Sequence, residues 1–466
     1  MRATAKLFPS FRTFIPSACF AGCLVLFGAP WLSTAQAQSP PQSPPSPDIV
    51  KRGEYLARAA DCLPCHTQGK ASPYSGGRPF ELPFGILYSA NITPDRDTGI
   101  GAYSDDEFVS ALQSGVGRGG KHLYPAMPYT SYTLMSRDDI LAIKAYLFSL
   151  TPVRAQPPEN TLMFPFNQRW GMIAWNLAFH RDARWTPDTG RSAEWNRGGY
   201  LVEGPGHCGE CHTPRTLAQN VDKSQALGGT ITQGWKAYNI TSDDQSGIGG
   251  WNDDAIAAYL ASGHARGHSS ASGPMGEVIE NSLRYLTPED IKSMVVYLRT
   301  VAPIRNAPAI ATTVAAAPTA AASLGQRLFA GECANCHLWD GTGAQSPYAN
   351  LVGSRTVNDP GGTNLMAVLI EGAQFRFPRE TTFMPPFARA HSDDEIAAVA
   401  NFTSAAFGNG AARISASDVA RARSPGPALI PTWMISAAII AGLIIALMIL
   451  WLLVRLFRPA KRQAMA

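Results

Sequence analysis

The sequence predicts a mainly α-helical protein: three tandem helical domains followed by one C-terminal transmembrane helix. Three observations carry that expectation. Cys-x-x-Cys-His occurs three times, at Cys62–His66, Cys208–His212 and Cys333–His337. Around the first two copies, Asn91-Ile-Thr93 recurs as Asn239-Ile-Thr241 and Gly99-Ile-Gly101 as Gly247-Ile-Gly249, both 148 residues apart. Finally, 22 uncharged residues run from Trp433 to Val454.

The motif spacing has a chemical reason. On one helical turn the two sulfurs can each form a thioether to a haem vinyl group, and the next residue places an imidazole under the iron. This is the signature of c-type haem attachment, with His as the proximal ligand. A zinc knuckle or a redox cysteine pair begins the same way, but the cysteine usage argues against both. Of eight cysteines, Cys19 and Cys23 fall in an N-terminal segment expected to be removed. The other six, Cys62, Cys65, Cys208, Cys211, Cys333 and Cys336, all lie in the motifs. No sulfur remains for a four-cysteine zinc site or an outside disulfide. Three covalently bound haem c groups are expected, with His66, His212 and His337 on the irons.

The chain ends supply the expected compartment. Arg2, Lys6 and Arg12 precede an apolar stretch and then Ala35-Gln-Ala37, the pattern of a secretory signal peptide over residues 1–37. A Pro/Ser-rich entry segment, 38–48, follows. Near the other end, a span over 430–454 at about 1.5 Å per residue suffices to cross a hydrocarbon core. Arg455, Arg458, Lys461 and Arg462 in the basic tail 455–466 put the C-terminus in the cytoplasm by the positive-inside rule. The expectation is an inner-membrane protein with its body on the periplasmic face and a single C-terminal anchor. The chain carries +4; without its three N-terminal and four C-terminal cations it carries −3. A nucleic-acid binder shows a basic footprint instead, so that class is excluded.

Internal similarity sets the boundaries: domain 1 over 49–152, an aromatic connecting segment over 153–194, and domain 2 over 195–301. An Ala/Pro linker (302–323), domain 3 (324–410) and a juxtamembrane segment (411–429) follow. Each domain begins with a short helix before its motif, at Arg52-Gly-Glu-Tyr-Leu56, Arg197-Gly-Gly-Tyr-Leu201 and Gly325-Gln-Arg-Leu-Phe329. Each ends with a helix whose start resembles a capping box, Ser136 with Asp139, Thr287 with Asp290 and Ser392 with Glu395, of which only the last has the standard Glu. A glycine in the first helix would let an aromatic of the last (Tyr146, Tyr297, Phe402) cross it closely. The connecting segment, Leu162-Met-Phe-Pro-Phe-Asn-Gln-Arg-Trp170 with Trp175-Asn176, is too aromatic for a free linker. It is expected to pack across the two domains, with an exposed partner-docking strip as the alternative.

An electron-carrying haem iron wants both axial positions filled, and a thioether opposite the His raises the potential. Met127, Met275 and Met384 each lie beside a proline, 8 to 12 residues before a capped final helix, and are the expected sixth ligands. Met is more often core filler, as expected for Met135, Met163, Met172, Met294 and Met366. His122, His264 and His268 are the competing ligands. His180 and His391 read as surface or structural residues, and His207 as lining a haem pocket.

The order of these parts resembles the triheme cytochrome c subunit of membrane-bound periplasmic alcohol, aldehyde, gluconate and fructose dehydrogenases. The residues carrying the resemblance are Asn91-Ile-Thr-Pro94, Tyr124-Pro-Ala-Met-Pro-Tyr129, Trp195-Asn-Arg-Gly198, His207-Cys-Gly-Glu-Cys-His-Thr-Pro-Arg215 and Gly273-Pro-Met275. It implies three tandem cytochrome c domains, a partner catalytic subunit of molybdopterin, PQQ or flavin type, a small third subunit, and ubiquinone as acceptor. An aldehyde or alcohol type of partner is favoured. The alternatives are a flavin-dependent gluconate or fructose type and a free-standing multihaem carrier feeding a terminal oxidase. No catalytic carboxylate pair, nucleophile or dinucleotide loop is evident, so substrate oxidation is expected on another polypeptide.

Overall fold

Six helices, each started by a serine or threonine cap, frame the fold. The computed structural model describes residues 45–308, 310–311, 323–343, 346–376, 381–424 and 432–456. The expected signal peptide, residues 38–44 of the entry segment, most of the Ala/Pro linker and all but the first two residues of the basic tail lie outside these residues. The framing helices are α1 (Pro47–Ala59), α2 (Arg137–Ser149), α3 (Ala193–Glu203), α4 (Pro288–Leu298), α5 (Leu324–Leu328) and α6 (Asp393–Phe407). Their cap oxygens, on Ser46, Ser136, Ser192, Thr287, Ser323 and Ser392, each accept from a first-turn amide. Such a cap contributes about 1 kcal/mol. Among the described residues, strands occur only as five two-stranded antiparallel hairpins, so the mainly α expectation stands.

The helices pair as α1 with α2, α3 with α4 and α5 with α6. Glycine makes each crossing possible. A Cβ on Gly53 would stand 1.8 Å from the Ala142 carbonyl oxygen, one on Gly198 1.8 Å from that of Ser293, and one on Gly325 2.2 Å from that of Ala398. The expected aromatics sit at these crossings: Tyr146 beside Gly53, Tyr297 beside Gly199 and Phe402 beside Gly325.

Behind each pair lies an apolar core. Leu56, Phe108, Met135, Ile140 and Ile143 form the first, Leu201, Trp251, Ile279 and Met294 the second, and Phe329, Leu369, Ile396 and Phe407 the third. Met135 and Met294 are fully buried, the filler role expected of them. The first two cores trade members: Ala59 packs in the second and Tyr200 in the first.

Two boundaries differ from expectation. The first residues of the expected Ala/Pro linker are held on domain 2: Ile304 donates to Thr241 Oγ1 at 3.1 Å, Arg305 pairs with Asp243 at 3.0 Å, and Asn306 donates to Ser246 Oγ at 3.1 Å. Within 411–429, the helix Ala416–Arg423 buries Val419 in the third core, and Arg423 pairs with Asp393 at 2.6 Å.

The expected transmembrane helix over 430–454 is not supported, and with it the inner-membrane, single-anchor localisation with a cytoplasmic C-terminus. Among the described residues no helix is long and apolar enough to cross a membrane. The backbone is helical over Thr432–Leu456.

Candidate haem sites

Each motif lies on a short helical turn: Cys62–Cys65, Gly209–His212 and Ala334–His337. The six thiols form no disulfide. Burial, with Asp61's charge second, pushes the Cys62 thiol up to about 12; burial, with Glu203 second, does the same for Cys208. Cys211 and Cys333 are pushed up to about 11, again mainly by burial. Redox-active cysteines have depressed values, whereas burial raises these thiols, which fits the thioether reading better than the dithiol one.

The histidines are held identically. His66 Nδ1 lies 2.7 Å from the Ala90 carbonyl oxygen, His212 Nδ1 2.6 Å from that of Tyr238, and His337 Nδ1 2.6 Å from that of Ala349. A carbonyl only accepts, so Nδ1 carries the proton and donates it. Burial pushes all three imidazoles below their ordinary value, the carbonyl bond opposing. Each ring is therefore neutral near pH 7, with the Nε2 lone pair available to a metal.

A glycine completes each clamp. Gly76, Gly229 and Gly343 donate to the backbone oxygens of His66, His212 and His337 at 2.8, 2.7 and 3.0 Å. All three have positive φ, and a Cβ on any would meet backbone within 2.7 Å, at Ala90, Asn239 and Ala349 respectively. In every case the carbonyl that holds the ring precedes an asparagine: Asn91, Asn239 and Asn350. These donors fit a c-type haem at all three motifs, and beside Cys333 opens a cavity of about 280 Å³ walled by Leu328, Leu369, Phe387, Ile396 and Val399.

The three candidate methionines sit in different local structures. Met127 occupies a turn, its amide donating to the Tyr124 carbonyl at 3.0 Å. Met275 instead lies in the first turn of the helix Gly273–Asn281, and Met384 ends the strand Thr381–Met384 opposite Ala373. Only the first matches a proline-stiffened loop. Even so, each packs on the core that also takes a cysteine of its own motif: Met127 with Cys62, Met275 with Cys208, Met384 with Cys333.

Among the competitors, His264 Nδ1 meets Ser270 Oγ at 3.0 Å, His268 stacks flat on Trp251, and the His122 carbonyl accepts from Arg169. His180 packs edge-on against Tyr129 and His207 against Tyr132, each at 5.5 Å. His391, expected as a surface or structural residue, bridges Glu332 at 2.8 Å and Glu395 at 3.6 Å and lines the third cavity.

The first two sites face each other reciprocally. The Cys62–Cys65 turn packs on the helix Gly273–Asn281, which carries Met275. Arg78 reinforces this contact, donating to the Pro64 carbonyl at 3.0 Å and pairing with Glu277 at 2.8 Å. In return, Glu210 of the second motif accepts from Thr130, three residues past Met127, at 3.0 Å. The same helix Gly273–Asn281 also packs on the strand Ala373–Arg376 that pairs with the Met384 strand, so it touches elements of all three sites.

Asn91 and Asn239, read as repeat markers, do structural work. Their side chains accept from Thr93 and Thr241 and donate to the Val153 and Ile304 carbonyls, tying down the chain that leaves α2 and α4.

The connecting segment packs across the first two domains, as expected, and leaves one face exposed. Tyr124 donates to the Phe166 carbonyl at 2.9 Å, Tyr129 to Asn176 at 2.7 Å, and Trp175 to the Ala218 carbonyl at 2.8 Å, so it spans the first two sites. Its outer face stays open: Phe164, Trp170 and Leu177 are 75%, 67% and 85% exposed, and the helix Gly171–Phe179 buries no residue.

The comparisons agree with this geometry. The chain is 35% identical to the fructose dehydrogenase cytochrome subunit of Gluconobacter japonicus, over 89% of this chain and 91% of that one. It is 34% identical to the cytochrome c subunit of the quinone alcohol dehydrogenase of Gluconacetobacter polyoxogenes, over 84% and 87%. It is 35% identical to the gluconate 2-dehydrogenase cytochrome c subunit of Pantoea cypripedii, over 80% and 89%. The chain belongs to the family of dehydrogenase cytochrome c subunits. Covalent haem c, electron transfer from a dehydrogenase and a catalytic partner subunit come with that membership.

One expectation is corrected. The cytochrome c family model matches residues 322–405 alone, so three tandem cytochrome c domains are not supported. The structure offers a reason. Between motif histidine and clamping glycine the third site has the shortest loop, His337 to Gly343, whereas His66 to Gly76 and His212 to Gly229 enclose longer insertions.

Proposed function

We propose that this family member carries three haem c groups, one on each Cys-x-x-Cys-His motif, and relays electrons from the catalytic subunit of a dehydrogenase to ubiquinone. The observation that carries the reading is the histidine clamp, built three times with the same donors and the same glycine. Haem c supplies a one-electron Fe(III)/Fe(II) couple. The chain's own residues do the rest. His66, His212 and His337 would hold iron through Nε2 in a fixed tautomer, and Met127, Met275 and Met384, each on its motif's core, would supply the second ligand. The helix Gly273–Asn281, against elements of all three sites, keeps them in one relay.

The donor in this reading is an aldehyde- or alcohol-oxidising subunit, resting on the exposed strip around Phe164, Trp170 and Leu177, which is pinned beside Met127. Near-equal identity to fructose and gluconate dehydrogenase subunits favours, as a second reading, a sugar-type catalytic subunit. Purification with the catalytic subunit followed by anaerobic substrate addition tests the relay. All three haems should become reduced, and a ubiquinone analogue should reoxidise them. Met127→Ala or Met384→Ala should slow quinone reduction while dye-linked substrate oxidation persists. Unchanged quinone reduction in both variants would sink the reading.

A further inference from the structure

Arg355 lies where the second and third cores meet, and its charge is left without an acid. It is only 7% exposed. Its Nη1 donates to the Asn239 carbonyl at 2.9 Å, its Nη2 to the Gly247 carbonyl, and its guanidinium stands 5.6 Å from the Trp251 ring centre. Among the described residues Nε has no hydrogen-bond partner and no carboxylate lies within ion-pair distance of the guanidinium. Asp243, whose charge reaches it, is already engaged by Arg305 at 3.0 Å. A buried cation without a counter-charge costs several kcal/mol, so an anion is expected to complete this site.

The surroundings identify the anion. Arg355 helps line a crevice of about 660 Å³ together with Lys236, Tyr238, Asn239, Ser246 and Asp359, the last already paired with Lys236. The Tyr238 carbonyl holds the His212 ring, and Arg355 donates to the carbonyl of the next residue, Asn239. The loop that Arg355 grips, Asn239 to Trp251, follows directly from Tyr238. A haem anchored on Cys208 and Cys211 would supply two propionate carboxylates, anions of the kind this cation would pair with.

We propose that Arg355, delivered by the third core, binds a propionate of the haem on the second motif and raises that haem's potential. This rests on haem attachment at Cys208 and Cys211. A cation beside the propionate favours the less positive, reduced iron. The duplicate loop of the first core shares the other cation contact, Lys144 donating to the Tyr103 carbonyl as Arg299 does to that of Trp251, with Asp105 and Asp253 the paired acids at 2.7 Å, but among the described residues no arginine donates to its Asn91 and Gly99 carbonyls as Arg355 does to those of Asn239 and Gly247. The arginine thus separates the potentials of two otherwise similar sites and ties the second haem to the third core.

The test is spectroelectrochemical titration of the full haem-loaded chain with Arg355→Gln, Arg355→Met and Arg355→Lys. A Cys211→Ser background marks the second haem, because its remaining vinyl group moves its α band to longer wavelength. The charge-removing variants should lower that haem's potential by a tenfold change in its reduction equilibrium, about 59 mV for one electron. The lysine variant should retain most of it, and the other two haems should hold. Methionine, close to arginine in length, keeps the test open if glutamine fails to fold. A marked haem whose potential is unchanged in both charge-removing variants overturns the inference while leaving the relay intact. Absence of haem from the Cys208–Cys211 peptide by mass spectrometry sinks relay and inference together.

Discussion

The two junctions between successive cores are built on different principles. At the first, equivalent residues exchange equivalent bonds: Tyr55 of α1 donates to Asp290 of α4, and Tyr200 of α3 donates to Asp139 of α2, both at 2.5 Å. Each aspartate also pairs within its own half, Asp139 with Arg52 and Asp290 with Arg197, both at 2.6 Å. This is the self-complementary logic of a twofold interface, written into one chain by duplication. The second junction is one-sided. Arg355 and Asn364 of the third core bond backbone groups of Asn239, Gly247 and Lys236, and Lys236 pairs with Asp359. The third core has no tyrosine to exchange, since Arg327 stands in its place, and its Glu395 closes a true capping box on Ser392. An acid at the third helical position can cap or can bridge, and the duplicates use it to bridge.

The largest expected effect follows from removing a bridging acid. Asp290→Ala strands Arg197 and Tyr55 and should cost about 2–3 kcal/mol in denaturant unfolding, since hydrogen bonds to charged groups are the stronger kind. A loss below about 0.5 kcal/mol would break the reciprocal picture. Asn364→Ala removes two bonds to the Lys236 backbone and should cost about 1–2 kcal/mol, with faster hydrogen exchange in the third core and little change in the first. Tyr55→Phe and Tyr200→Phe should each cost about 1 kcal/mol. By symmetry the costs should match, and because the two bridges share no partner they should add in the double variant; a large coupling would argue for one asymmetric contact.

The smallest effect is acid sensitivity of the first junction. Burial pulls the Asp290 carboxyl up, but bonds from Arg197 and Tyr55 outweigh it and leave it below the usual carboxylate range. Its contribution to stability is therefore complete above about pH 4, the unfolded value, and fades as pH falls through the lower folded value. Asp290→Asn should flatten that part of the stability–pH curve.

Much of this was legible in the sequence. The motif cysteines and histidines, the glycine crossings and the start of each final helix follow from spacing and capping chemistry alone. The clamping glycines escaped notice because the loops from His66, His212 and His337 differ in length, which hides their equivalence; the asparagine after each ring-holding carbonyl was the available signal. The aspartates at the capping positions looked like weak boxes because their partners, Tyr200 and Tyr55, lie 61 and 235 residues away. Arg355 was invisible for the same reason: its partners are loop carbonyls 108 and 116 residues earlier, and backbone recognition leaves no pattern in side chains.

The central claim, a haem at every motif, is tested most directly by mass spectrometry of the intact holo-chain and of its proteolytic peptides. The account predicts three haem masses per chain, one each on the Cys62–Cys65, Cys208–Cys211 and Cys333–Cys336 peptides. A single haem, confined to the Cys333–Cys336 peptide within the stretch the cytochrome c family model matches, would contradict it.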